Sequence, residues 1–195
     1  GFVTSGTSVE ISNQLSGGTI GGLLSYRSQM LDPTQNSLGR LAIGMADTLN
    51  TQHQLGMDLN GNLGGDLFST STPTVAGSSA NTGTGAVSAA ILNVNELTTS
   101  DYQLTANGGN NYTLTRLSDG QNFAIDTGGT SPYTTADIDG LTLTITAGAA
   151  AGDSFLIQPT KQGADKLGML ITDPAKIAAA VPVAASASLS NIGTG

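Results

Sequence analysis

The stretch from Gly17 to Asn50, GGTIGGLLSYRSQMLDPTQNSLGRLAIGMADTLN, constrains the fold most, because it is the one long segment with sustained helical periodicity. Leu24, Leu31, Leu38 and Met45 recur every seventh residue, with Ile20, Arg27, Thr34, Leu41 and Thr48 beside them, so a mostly apolar stripe is expected along one side. A stripe of this kind needs a cover. The rest of the chain is too rich in Gly, Ser and Thr to offer a second helix of comparable length. The heptad leucines therefore read equally as ordinary core and as a seam against another helix or subunit.

Asp32-Pro33 lies inside this stretch. Proline lacks the N–H that would bond back to the Gln29 carbonyl, and its ring crowds that carbonyl. Asp32 could cap a second helix with Pro33 as its first residue, or one long helix could be kinked there with the stripe continuing through. The in-phase leucines favour the second reading. A helix from Gly21 to Gln54 would be roughly 50 Å long, and Gly56 is a plausible stop.

The periodicity changes beyond this helix. MDLNGNLGGDLFS is dense in turn formers, and residues 70–85 are rich in Ser, Thr, Gly, Ala and Pro without period, which predicts a linker. AVSAAILNV, DYQLTA, NYTLTRL, QNFAID, GLTLTITA and DSFLIQPT then read as strands, with NYTLTRL–QNFAID and LTLTITA–SFLIQPT as hairpins. LGMLITDP is a candidate seventh strand, and residues 174–180 a turn of helix. The expected fold is α+β: a long, rod-like helical segment followed by an antiparallel β domain of about six to seven strands. The expected division is 1–69 helical, 70–85 linker, 86–181 β and 182–195 linker, with residues 1–16 an extended lead-in.

Composition excludes several functions. The net charge is −8 and the six basic residues are scattered, which argues against nucleic-acid binding. Without cysteine there are no disulfides, thiolate nucleophiles or thiolate metal sites. No leader-like segment and no run of 18 apolar residues is present, so neither a signal peptide nor a membrane span is expected, and a start without Met reads as a fragment.

Catalytic and metal chemistry is sparse. His53 is the single histidine and reads as a surface or partly packed residue at the helix end. Asp58, Asn60 and Asn62 resemble the start of a calcium loop, but the sixth position is Leu63 and the twelfth Ser69, so a turn held by Asx side chains is expected. Asp137, Asp139 and Asp153 could in principle pair for glycoside hydrolysis, yet each sits near Gly in a turn, where Asp bonds its own backbone. No catalytic residue, cofactor or metal is expected. A rival class is an adhesin-like β module recognising host glycan or protein, with Tyr102, Tyr112 and Tyr133 as exposed stacking platforms.

GGTIGGLLSYRSQMLDPTQNSLGRLA at 17–42, the run from Leu49 to His53, GMDLNGNLGGDLF at 56–68, AGDSFLIQPT, and ITDPAKIAAA at 171–180 together resemble the FlgK family of hook-filament junction proteins of bacterial flagella. The resemblance implies a non-enzymatic structural adapter in which the helical stretch belongs to a rod-like inner domain and the β region is an outward insertion. The implied partners are other copies in a ring, the hook protein and a second junction protein, with no nucleic acid and no membrane. The implied location is extracellular, on the flagellum, after export through the flagellar type III apparatus. The terminal joining helices of the family would lie outside this chain, so the fragment is expected to be monomeric. Leu24, Leu31, Leu38, Leu41 and Met45 are the candidate assembly residues.

Overall fold

The helical run from Gly18 to Gln54 is continuous and has three parts: α1 (Gly18–Tyr26), a π turn (Arg27–Leu31) and α2 (Asp32–Gln54). Asp32 has helical dihedrals and donates its N–H to the Arg27 carbonyl five residues back, so it continues the helix rather than capping a new one. The wider turn gives the Pro33 ring room against the preceding turn, which a regular α-helix denies it. The computed structural model describes residues 2–4, 7–9 and 18–180; residues 181–195, which include the linker expected at 182–195, lie outside it. β1 (Phe2–Thr4) and β2 (Thr7–Val9) form an antiparallel pair within the segment expected to be an extended lead-in.

Contacts divide the chain into two units: Gly1–Gly44 with Ser71–Lys166, and Met45–Thr70 with Leu167–Gly195. α2 gives its first part to one and its last part to the other. This differs from the division at residues 70–85 drawn from composition. That stretch holds β3 (Thr74–Gly77), which pairs along its whole length with β10 (Ser154–Gln158), and the Thr82 and Gly83 N–H groups bond the Asp153 carboxylate. The Ser/Thr/Gly composition reflects an edge strand and a bonded loop rather than a connector.

The first unit holds two antiparallel sheets. One runs β3-β10-β5-β6-β7, with β5 at Tyr102–Gly108, β6 at Asn111–Arg116 and β7 at Asn122–Asp126. The other runs β4-β9-β8, with β4 at Val87–Ile91, β8 at Tyr133–Thr134 and β9 at Leu141–Ile145. Alternating residues from both sheets, among them Leu104, Leu114, Phe155 and Ile157 from one and Leu141, Leu143 and Ile145 from the other, meet in a single buried cluster. Ile43 of α2 and Leu97 join it.

The β6–β7 hairpin forms as expected. The β9–β10 hairpin does not, because the two strands belong to different sheets. Between them Gly148 and Gly152 adopt left-handed φ values of 110° and 92°, and the Asp153 carboxylate accepts the Ala150 N–H at 2.8 Å, so the loop crosses the sandwich instead of folding back on its own strand. LGMLITDP makes one isolated bridge, Phe68 to Met169, and no strand. Pro174–Lys176 form a 3₁₀ turn whose first free N–H, from Ala175, bonds the Asp173 side chain.

In the second unit the last turns of α2 hold two loops. Asn50 accepts the Leu67 and Phe68 N–H groups on one oxygen and donates to the Phe68 carbonyl, each at 2.8 Å. His53 donates from Nδ1 to the Gly65 carbonyl at 2.7 Å and accepts the Ala178 N–H on Nε2 at 2.8 Å. The two backbone partners fix the tautomer, since a carbonyl can only accept and an N–H can only donate. Gly56 is required for close approach, because a β-carbon there would overlap the Ala178 carbonyl. Among the described residues no helix is long and apolar enough to cross a membrane.

Candidate assembly surface

Two stripes run along α2, and the one its own chain covers is not the leucine stripe. In the first unit Asn36, Gly39, Ala42 and Ile43 are buried; Ala46, Asn50 and His53 continue the series in the second. Residues 36, 39, 43, 46, 50 and 53 of this series follow a heptad spacing, and apart from Ile43 they are small or polar. Asn36 donates to Asp101 Oδ1 at 2.9 Å, while Gln158 donates to the other oxygen of that carboxylate. Gly39 meets the backbone of Thr160 and Gly163, Arg40 donates to the Leu97 carbonyl, and Asp32 pairs with Lys161 at 3.4 Å.

Leu31, Leu38 and Leu41 are 50%, 55% and 68% exposed. Residue 38 lies about 200° around the helix from residue 36, so the leucines face away from the surface that docks on the sheets. Met45, on the same helix in the second unit, is also exposed. Leu24 is different: it is half-buried, while its neighbour Leu23 is exposed. The seven-residue spacing does not bring Leu24 into line with Leu31, because the π turn between them takes up an extra residue. Periodic counting assumed a regular helix through Pro33 and could not register this. The small and polar stripe was missed for another reason, since a search for apolar repeats passes over Asn36, Gly39, Asn50 and His53.

The other candidate residues have structural roles. Asp137 accepts the Gly140 N–H at 2.7 Å. Asp139 accepts the Tyr102 hydroxyl at 2.7 Å and Arg116 Nη1 at 2.9 Å. Arg116 also grips Asp119, whose carboxyl its guanidinium lowers to about 2, and this pairing in turn raises the affinity of Arg116 for its proton. Asp153 is buried under three backbone N–H groups, from Thr82, Ala150 and Gly83, which hold its carboxyl below the usual range. Asp137 and Asp153 are thus bonded to loop backbone and Asp139 to Tyr102 and Arg116.

Asp58 Oδ1 accepts the Asn60 and Asn62 N–H groups at 2.8 Å each, the Asx-held turn expected from sequence, and these bonds lower its pKa, that from Asn62 most. His53 is 6% exposed, and so is a buried pin rather than a surface residue. Tyr102 and Tyr112 are buried, with burial pushing the Tyr102 hydroxyl upward, so the tyrosine platform of the adhesin reading does not form.

Two family models match in succession: the flagellar hook-associated protein FlgK helical domain over residues 1–68, and the flagellar hook-associated protein 1 D2-like domain over residues 76–159. The chain belongs to the FlgK family. It is 38% identical over 168 residues to the flagellar hook-associated protein 1 of Escherichia coli K12, and 36% identical over 167 residues to that of Salmonella typhimurium. In each case the match covers 85% of this chain and 30% of the relative. The crystal structure of the flagellar hook junction protein FlgK from Burkholderia pseudomallei superimposes with a TM-score of 0.77 at 38% identity, over 86% of this chain and 30% of that one. The chain thus spans about a third of the length of its FlgK relatives. The first FlgK model ends at residue 68 and the second begins at residue 76, within β3, whereas the contacts place the first half of α2 with the sheets.

Proposed function

We propose that this chain is part of a structural adapter joining hook to filament in the bacterial flagellum, and that Leu31, Leu38, Leu41 and Met45, with Leu24 at their margin, form its helical seam. The observation that carries the proposal is the pair of opposed stripes on α2. The helix docks on its own β unit through Asn36, Gly39 and Ile43 and leaves its leucines outward. An apolar face of this kind marks an interaction site.

The adapter is non-enzymatic, a reading supported by the bonding of Asp137 and Asp153 to loop backbone, of Asp139 to Tyr102 and Arg116, and of its one histidine to two backbone groups. Its partners are other copies in a ring, the hook protein and a second junction protein, and it works outside the cell after export through the flagellar type III apparatus. The helical part serves assembly and the β part faces outward. In isolation the chain stays monomeric, its net charge of −8 opposing self-association of the leucine face.

The test is the full-length protein carrying Leu31→Ala with Leu38→Ala, expressed in a motile strain lacking its own copy. Truncating a buried leucine costs about 2–5 kcal/mol, so cells should shed filaments under viscous load. Wild-type swimming and filament retention would remove the seam from the account.

A further inference from the structure

We infer that the β unit carries a binding pocket for one uncharged sugar ring, at the end of the sandwich where the β5–β6 turn, residues 127–130 and residues 145–149 meet beside Tyr112. The inference is independent of the hook-filament role proposed above and adds a ligand to the β unit.

These segments enclose a cavity of about 140 Å³. Pockets for drug-sized ligands hold roughly 300–1,000 Å³, so this one suits a single ring of a larger molecule. Its walls are tied to one another and to the strands. Thr127 donates its N–H to the Asn110 carbonyl at 3.1 Å, Ala147 its N–H to Ser131 Oγ at 2.8 Å, and Thr84 its N–H to the Gly148 carbonyl at 2.7 Å. A cavity held in this way stands formed before a ligand arrives, which lowers the ordering cost of binding.

Two buried tyrosines of the sandwich differ in one respect. The Tyr102 hydroxyl is bonded to Thr98 and Asp139. Tyr112 is only 6% exposed, yet its hydroxyl has no hydrogen-bond partner among the described residues. Nor is that hydroxyl sealed in the core. The sealed side-chain atoms without a partner are Asn36 Oδ1, Ser71 Oγ and Thr160 Oγ1, and none of these residues lines the cavity. Tyr112 therefore buries its ring and keeps its hydroxyl open to the cavity it lines. A buried tyrosine hydroxyl ordinarily has a partner, and here a ligand can supply it.

The lining sets the class of that ligand. It contains no Asp, Glu, Lys, Arg or His, so it offers a charged group no counter-ion. Tyr112, Asn110 and Thr130 bring side chains that both donate and accept, and Ala106, Ile145 and Ala149 bring apolar surface. A pyranose ring matches this mixture, with hydroxyls that donate and accept around its edge and C–H groups on its faces. β5 begins beside Asp101, which Asn36 of α2 binds, and ends at Gly108 in the cavity wall. The contact that docks the helix and the proposed pocket thus lie at opposite ends of one strand.

The test is ligand-observed saturation-transfer NMR on the purified full-length protein. The probes are the methyl glycosides of glucose, galactose, mannose and N-acetylglucosamine, with glucuronic acid as a charged control and N-acetylglycinamide as a control that is not a sugar. At least one neutral glycoside should show transfer, and the two controls should not. Tyr112→Phe removes only the hydroxyl, and Asn110→Gly removes the amide while accepting the φ of 70° found there. Each should weaken binding at least about fivefold, with melting temperature as the check on folding; if one variant melts early, the other decides.

Absence of transfer to every neutral glycoside overturns the inference. So does a control that binds as well as the best glycoside, or a folded variant of either kind that binds as tightly as the wild type.

Discussion

Gly39 on α2 lies directly against the carbonyl of Thr160, so close that a β-carbon built on the glycine would overlap that oxygen. This contact brings the helix backbone onto the loop after β10 with no side chain between them. Gly39→Ala must therefore push the helix off the loop, at a cost of roughly 1–3 kcal/mol. Gly44, five residues along the same helix, has nothing within 4 Å of its would-be β-carbon, and Gly44→Ala should stabilise by up to about 1 kcal/mol through helix propensity. Urea melts of the two variants should move in opposite directions.

His53 and Asn50 hold the loops of the second unit by hydrogen bonds that no aliphatic side chain can replace. His53→Ala leaves the buried Ala178 N–H and the Gly65 carbonyl without their partner, which should cost about 1–3 kcal/mol. Asn50→Asp keeps the acceptor for the Leu67 and Phe68 N–H groups but turns a carboxylate oxygen toward the Phe68 carbonyl, so it should also destabilise. Amide exchange at Ala178 should accelerate in the first variant, and exchange at Leu67 and Phe68 in the second.

Acid should weaken the β unit. An unfolded aspartate takes up its proton near pH 4 by ordinary values, about 3.9, while folded Asp119 and Asp153 stay ionised below that. Between the two values the unfolded state binds more protons, so stability falls as pH falls. The contribution is complete at neutral pH and is lost from the unfolded value downward, for Asp119 to about 2. Asp153→Asn should lower the melting temperature at neutral pH and make it less sensitive to acid, because the proton-linked group is gone.

Much of the architecture was legible in the residues. The long helix followed from apolar recurrence, and six strands from alternation. The 3₁₀ turn at Pro174 and the Asx turn at Asp58 followed from residues that bond their own backbone. The misses have definite causes. β3 and β8 have four and two residues and alternate too briefly to register. Alternation shows that β9 and β10 are strands but not which strand each pairs with, and the Gly148–Asp153 loop sends them to different sheets. The extra residue in the π turn is invisible to a count that assumes uniform helix, so the seven-residue step from Leu24 to Leu31 does not hold along it. His53 and Asn50 looked bland because their partners are backbone atoms of distant loops.

The central claim is that the leucine face of α2 is covered in the full-length protein, and the accessibility of one position tests it most directly. The chain has no cysteine, so Leu38→Cys gives a single reporter at a site that is 55% exposed here. A second reporter, Leu117→Cys, places a thiol on the exposed surface of the β unit. With any other cysteine of the full-length protein replaced, maleimide labelling of both reporters is timed in that protein. The account predicts that the thiol at 38 is labelled at least about tenfold more slowly than the thiol at 117, since docking that buries a leucine-sized surface keeps reagent out. Equal labelling rates at the two positions would contradict it.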